Sequence, residues 1–148
     1  MARVEAHAER TIDAPAEVVY GYLADMRTHH PRFLPPAFTD FAVESGGIGA
    51  GTVVTYTVNA GGRHRPCRMA VTEPDPGRVL VESDTASSLT TTFTVVPAGN
   101  AALVKISTSW NGAQGVGGFF ERLFAPRALQ QIYADALDRL QTYAQAPT

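Results

Sequence analysis

The chain has 148 residues, 45% of them apolar, and a formal charge of -2 from twelve Lys plus Arg against fourteen Asp plus Glu. This suits a single folded domain over 1–148 and excludes a disordered chain, because a domain of that length buries about 68–70% of its unfolded surface. The even charge balance argues against nucleic acid as a partner, one cysteine cannot close an internal disulfide, and no apolar run approaches the ~20 residues of a membrane span.

Residues 3–12 alternate, with Val4, Ala6, Ala8 and Ile12 on one face and Arg3, Glu5, His7, Glu9 and Thr11 on the other. That is a half-buried strand, with Arg10 as its exception. No apolar signal-peptide core occurs among the first residues, so a cytoplasmic protein is expected. Asp13 offers an N-cap oxygen, Pro15 suits a first helical turn and Glu17 complements the helix dipole. A helix over about 15–25 follows, carrying Val18, Val19, Tyr22, Leu23 and Met26 at helical spacing. The stretch from His29 to Pro36 holds three prolines and has room for at most one turn of helix.

Strands are then expected over about 38–45, 51–59, 63–73, 78–85, 88–97 and 101–110. Their punctuation is glycine and proline: Gly46–Gly51, Asn59–Gly62, Pro74–Gly77 and Pro97–Asn100. The glycines at 46–51 precede a β-branched strand and not a helix, so the segment reads as a plain flexible loop and not a phosphate cradle. A final amphipathic helix is expected over roughly Gly118–Ala144, with Leu129, Ile132, Tyr133, Ala136, Leu137, Leu140 and Ala144 on one stripe. Pro126 should kink or break it near Ala125, leaving Phe119, Phe120, Leu123 and Phe124 on a segment with its own angle, suited to a lid.

The opening strand with Asp13-Ala14-Pro15-Ala16-Glu17-Val18-Val19, the turn Glu73-Pro74-Asp75-Pro76-Gly77-Arg78, and Thr92-Phe93-Thr94-Val95 with the final helix carry a resemblance. Together they resemble the polyketide cyclase/dehydrase-like proteins of the START/Bet v 1 (SRPBCC, helix-grip) superfamily, over essentially the whole chain. The resemblance implies an α+β helix-grip fold: a curved seven-stranded antiparallel sheet around a long C-terminal helix, with two short helices after the first strand. It also implies a pocket for lipids, polyketides or other hydrophobic molecules. The superfamily shares no active-site signature, so fold alone assigns no reaction.

Candidate site residues come from strand faces. Tyr56 lies with Val54 and Val58, Thr91 with Phe93 and Val95, and Thr108 with Val104, Ile106 and Trp110. These are core positions first; lining a cavity, Tyr56, Thr91 and Thr108 would add orienting hydroxyls to apolar walls. Trp110 at a strand end would sit near a mouth, and Phe120, Phe124 and Tyr133 would come from the final helix. Cys67 shares a face with Met69 and Val71 and reads as a small core hydrophobe, while Met69 is itself a candidate to line the cavity. Counting by twos carries that face to Arg65, but Pro66 marks a bulge or edge that resets parity. Two placements follow for Arg65, one reaching the cavity and one solvated at its rim. His7 is expected in solvent, and His29 and His30 on the surface or packed in their loop. No histidine spacing suits zinc and no Gly-x-Ser-x-Gly elbow is present, so neither metal nor cofactor is expected.

The first functional expectation is a carrier of a hydrophobic small molecule, polyketide-like, aromatic or lipid, acting as a monomer or homodimer. The alternative is a polyketide cyclase or dehydratase in the same cavity, with Arg65 or Tyr56 stabilising an enolate and His30 as base. A protein-interaction module is the weakest reading.

Overall fold

The computed structural model describes residues 3–60, 63–111 and 126–146. Seven strands form one antiparallel sheet: β1 (Arg3–Ile12), β2 (Phe38–Ser45), β3 (Val53–Ala60), β4 (Arg63–Asp75), β5 (Val79–Asp84), β6 (Thr90–Ala98) and β7 (Ala101–Asn111). Helix α1 (Ala16–Ala24) and a 3-10 turn (His30–Phe33) lie between β1 and β2, and helix α2 (Pro126–Gln145) follows β7. The part of the final helix expected before Pro126, with Phe119, Phe120, Leu123 and Phe124, lies outside the described residues. Among the described residues no helix is long and apolar enough to cross a membrane.

The sheet order is β1-β7-β6-β5-β4-β3-β2. Strands β2 to β7 form a meander, and β1 pairs with β7 along its whole length, from Arg3↔Asn111 to Ile12↔Ala102. The chain must therefore cross from one sheet edge to the other between β1 and β2. That crossing lays α1 against β6 and β7 and brings the 3-10 turn to α2, which itself packs on β1. Register breaks in β2 (Thr39/Ala42, Val43/Ser45) and in β4 (Thr72/Asp75) bend those strands, with Asp40 at φ 57 inside the first. The sheet curls toward α2, whose Leu129, Tyr133, Ala136, Leu137 and Leu140 are buried on one stripe.

Two departures from expectation have plain causes. Asp13 does not cap α1; Pro15 occupies the cap position with no side-chain hydrogen bond. Instead Asp13 is tied to α2, its N–H donating to Gln141 Oε1 at 2.8 Å and its carbonyl accepting from Gln145 Nε2 at 2.6 Å. Arg10 interrupts the alternation of β1 because its guanidinium reaches Asp138 on α2, at 2.7 Å.

The Gly46–Gly51 loop is pinned on several sides. Met26 N–H donates to Gly47 O at 2.8 Å, Gly49 N–H to Ala24 O at 3.0 Å, and Ala50 N–H to Glu73 Oε1 at 2.7 Å. Gly46 has φ +70, and a Cβ there would stand 2.8 Å from Thr52 Cα, a backbone atom that cannot yield. Gly46→Ala should cost about 1–3 kcal/mol from strain plus collision. Gly99, at φ +65 with nothing within 4 Å of a Cβ, is the control for left-handed strain alone. Equal urea midpoints for Gly46→Ala and Gly99→Ala would refute the collision.

The parity of β4 is settled by pairing. Its register with β3 runs unbroken from Val53↔Ala70 to Ala60↔Arg63 through Thr57↔Pro66. Pairing with β5 begins only at Met69↔Asp84, so Pro66 sits where β4 has β3 as its one neighbour and its missing N–H is tolerated as on an edge. Arg65 therefore lies on the inner face with Cys67, Met69 and Val71.

Candidate functional site

The inner face carries a polar row within apolar walls. Glu82 stands opposite Val71 on β4 and Thr91 on β6, and Thr91 stands opposite Thr108 on β7. Above this row, between sheet, 3-10 turn and α2, is a cavity lined by His30, Phe33, Leu34, Pro35, Phe38, Phe41, Tyr56, Glu82, Thr91, Phe93, Ile106, Tyr133 and Ala136. The space open to the centre of a water molecule is about 50 Å³. A smaller lobe of about 20 Å³ continues past Phe38, Tyr56, Thr91 and Tyr133 to Val58, Leu89, Thr108 and Leu129. Both lobes are compact beside the roughly 300–1,000 Å³ of drug-sized sites.

Three hydroxyls satisfy one another at the junction of the lobes. Thr91 and Thr108 share a hydrogen bond at 2.7 Å, and Thr108 bonds the phenol of Tyr133. Burial pushes the Tyr133 phenol up to about 12, and burial also raises Tyr56 well above its ordinary value, so both remain protonated donors.

His30 and Glu82 are the buried titratable pair, 3% and 5% exposed. His30 Nδ1 lies 2.8 Å from the Leu23 carbonyl, which only accepts, so Nδ1 carries the proton and Nε2 presents a lone pair. Its ring is packed by Phe33, Phe41 and Phe93, with centroids at 5.1, 6.1 and 5.5 Å. His30 Nε2 and Glu82 Oε2 are 3.8 Å apart, within ion-pair reach but too long for a hydrogen bond. Burial lowers His30 to about 4, against the raising effect of the Leu23 bond, and burial raises Glu82 to about 7. Without direct hydrogen bonding between them, desolvation outweighs attraction, and the pair is neutral between those values.

The expected site residues divide. Tyr56, Thr91, Phe93 and Tyr133 line the main cavity with His30, and Thr108 lines the second lobe. Met69 is buried between Val54 and Asp84, outside either lining. Trp110 is buried at the end of β7 opposite Val4, also outside both linings. Arg65 faces inward but is engaged: its guanidinium donates to Asp84 Oδ2 at 2.8 Å and lies 2.8 Å from Cys67 Sγ. Phe120 and Phe124 lie outside the described residues. Burial raises Cys67 to about 11, more than the neighbouring Arg65 lowers it, so the thiol stays protonated and unreactive. His7 is exposed, while His29 is packed, its Nδ1 2.5 Å from the phenol of Tyr143. Among the described residues no three His, Cys, Asp or Glu side chains come together as a metal site.

Residues 2–145 match the family described as polyketide cyclase / dehydrase and lipid transport. The chain belongs to that family. Pathogenesis-related protein 2 of Petroselinum crispum is 30% identical over 118 residues, spanning 73% of this chain and 75% of that protein. The solution structure of the KanY protein superposes with a TM-score of 0.86 at 34% identity, over 99% of this chain and 100% of that one. The Zhui aromatase/cyclase from Streptomyces sp. R1128 superposes with a TM-score of 0.72 over 97% of this chain and 94% of its own, and at 17% identity shares the fold alone.

In this member of the polyketide cyclase / dehydrase and lipid transport family, Glu82 and the aromatic wall of Phe33, Phe38 and Phe41 line the cavity without being among the residues expected there. A signal for Glu82 was present: Leu80, Glu82 and Asp84 share one face of a short strand, and an acid in phase with a leucine is out of place on a solvated surface.

Proposed function

We propose that the protein binds a compact hydrophobic small molecule, aromatic or polyketide-like, in the cavity between sheet and α2. One observation carries this reading: apolar and aromatic walls enclose unfilled space beside Tyr133, with a few polar groups at fixed points. Empty apolar space lowers stability, and a chain that needed only a core would fill it with a larger side chain at Ala136. The test is a fluorescence titration with naphthalene. Wild type should bind, and Ala136→Phe, which occupies the void from α2, should bind at least about tenfold more weakly while remaining folded. Equal affinity in the two proteins would refute this location.

A second reading, a dehydratase or cyclase, is favoured by the neutral base and protonated acid facing the same space. In loss of water from a β-hydroxy ketone, His30 Nε2 would take the α-proton while Glu82 protonates the carbonyl oxygen. The enol then returns its proton to Glu82, the imidazolium protonates the leaving hydroxyl, and water departs with net charge unchanged. Turnover of a β-hydroxy aryl ketone, followed by NMR and lost in His30→Phe, tests it.

A further inference from the structure

We propose that His30 and Glu82 form a receptor for one hydroxyl group, so that the cavity selects phenols and enols over other apolar rings of the same size. The inference rests on the cavity being a ligand site and goes on to name the ligand's polar group.

The geometry has three parts. First, His30 can only accept at Nε2, because Nδ1 donates to the Leu23 carbonyl at 2.8 Å. The ring cannot turn to exchange those roles without leaving Phe41, which lies nearly parallel at 17°, and Phe93, which meets it edge-on at 85°. Second, the Glu82 side chain is 6% exposed and lines the same space, and among the described residues it makes no hydrogen bond. Protonated, it offers one O–H toward that space. Third, the 3.8 Å between Nε2 and Oε2 is too long for them to satisfy each other. An oxygen placed about 2.8 Å from both closes the gap, provided that it donates to Nε2 and accepts from the carboxyl.

That requirement is selective. An ether or ketone oxygen only accepts, and would leave Nε2 unsatisfied. An ammonium only donates, and brings a charge into an apolar wall. A hydroxyl does both, and a phenol or enol donates more strongly than an aliphatic alcohol. Thr91, Thr108 and Tyr133 already bond one another, so their chain does not compete for the same group. Leaving a buried donor and acceptor unmet is costly, which turns complementarity into discrimination.

The test compares 1-naphthol with 1-methylnaphthalene, in which a methyl replaces the hydroxyl at nearly equal size, by fluorescence titration of the full chain. Hydrophobicity alone favours the methyl compound. We expect 1-naphthol to bind about ten- to a hundredfold more tightly. His30→Phe and Glu82→Leu should each bring that ratio to one or below, whereas Glu82→Gln, which keeps an N–H donor, should retain most of it. Equal binding of the two compounds by wild type overturns the inference while leaving the cavity as a ligand site. Absence of binding by either compound overturns both. The wild-type ratio decides the matter even where a variant fails to fold.

Discussion

Glu82→Gln should convert a level pH–stability profile into one that climbs by about 3 kcal/mol between about pH 4 and 6.5. The reason is opposed linkage. His30 is lowered to about 4 in the folded state from an ordinary 6.5. Between those values the unfolded chain holds the proton and the folded one does not, so stability rises with pH. Glu82 is raised from 4.5 to about 7. Its stabilising contribution is present below 4.5 and is lost as pH rises through the folded value, so stability falls over that window. The two slopes cancel from about 4.5 to 6.5 in wild type.

Removing either group exposes the other. Glu82→Gln leaves the rising histidine slope, and His30→Phe leaves a fall of about 3 kcal/mol from about pH 4.5 to 7. Tyr56 and Tyr133, facing the pair from β3 and α2, stay protonated throughout, as does Cys67 on β4. Asp84 and Arg65 are engaged with each other and are common to all three proteins. Urea midpoints at half-unit pH steps are the measurement. Parallel profiles for wild type and both variants would show that the pair is not held neutral by burial.

The second large effect is at Arg65. Arg65→Met should destabilise the fold by about 3–5 kcal/mol, because it strands a buried carboxylate. The Asp84 side chain is 2% exposed and that of Arg65 13%. The carboxylate keeps hydrogen bonds from Ser87 Oγ at 2.8 Å and Ala86 N–H at 3.0 Å, but these do not replace the cation. Adding Asp84→Asn removes the stranded charge: its Oδ1 can still accept from Ala86 N–H, and its Nδ2 can donate to Ser87 Oγ, whose hydroxyl both donates and accepts. The double variant should therefore recover much of the loss, with a coupling of at least about 2 kcal/mol in the double-mutant cycle. An arginine that served a ligand would behave differently: Arg65→Met would weaken naphthol binding and leave the urea midpoint nearly unchanged. The geometry pairs Arg65 with Asp84, and Arg65 is in neither cavity lining.

Much of the architecture could be read along the chain. Alternation in β1, the glycine and proline punctuation between strands, and the stripe from Leu129 to Leu140 each depend on residues close in sequence, where the strand period of 2 and the helix period of 3.6 act directly. The inward faces of Tyr56, Thr91, Phe93, Thr108 and Tyr133 follow from the same periods. Arg65 marks the limit of that reasoning: whether Pro66 resets parity depends on which strands flank it, and only the pairing with β3 answers that. His30 and Glu82 lie further beyond it. One sits on a single turn in a proline-rich crossing and the other on a short strand of mixed pattern. Their meeting depends on how the chain travels from one sheet edge to the other and how β4, β5 and β6 align. Local sequence determined the elements and their faces because those are set by neighbouring residues; tertiary structure alone decided which distant faces enclose the same space, because that is set by strand register and the path of the crossing.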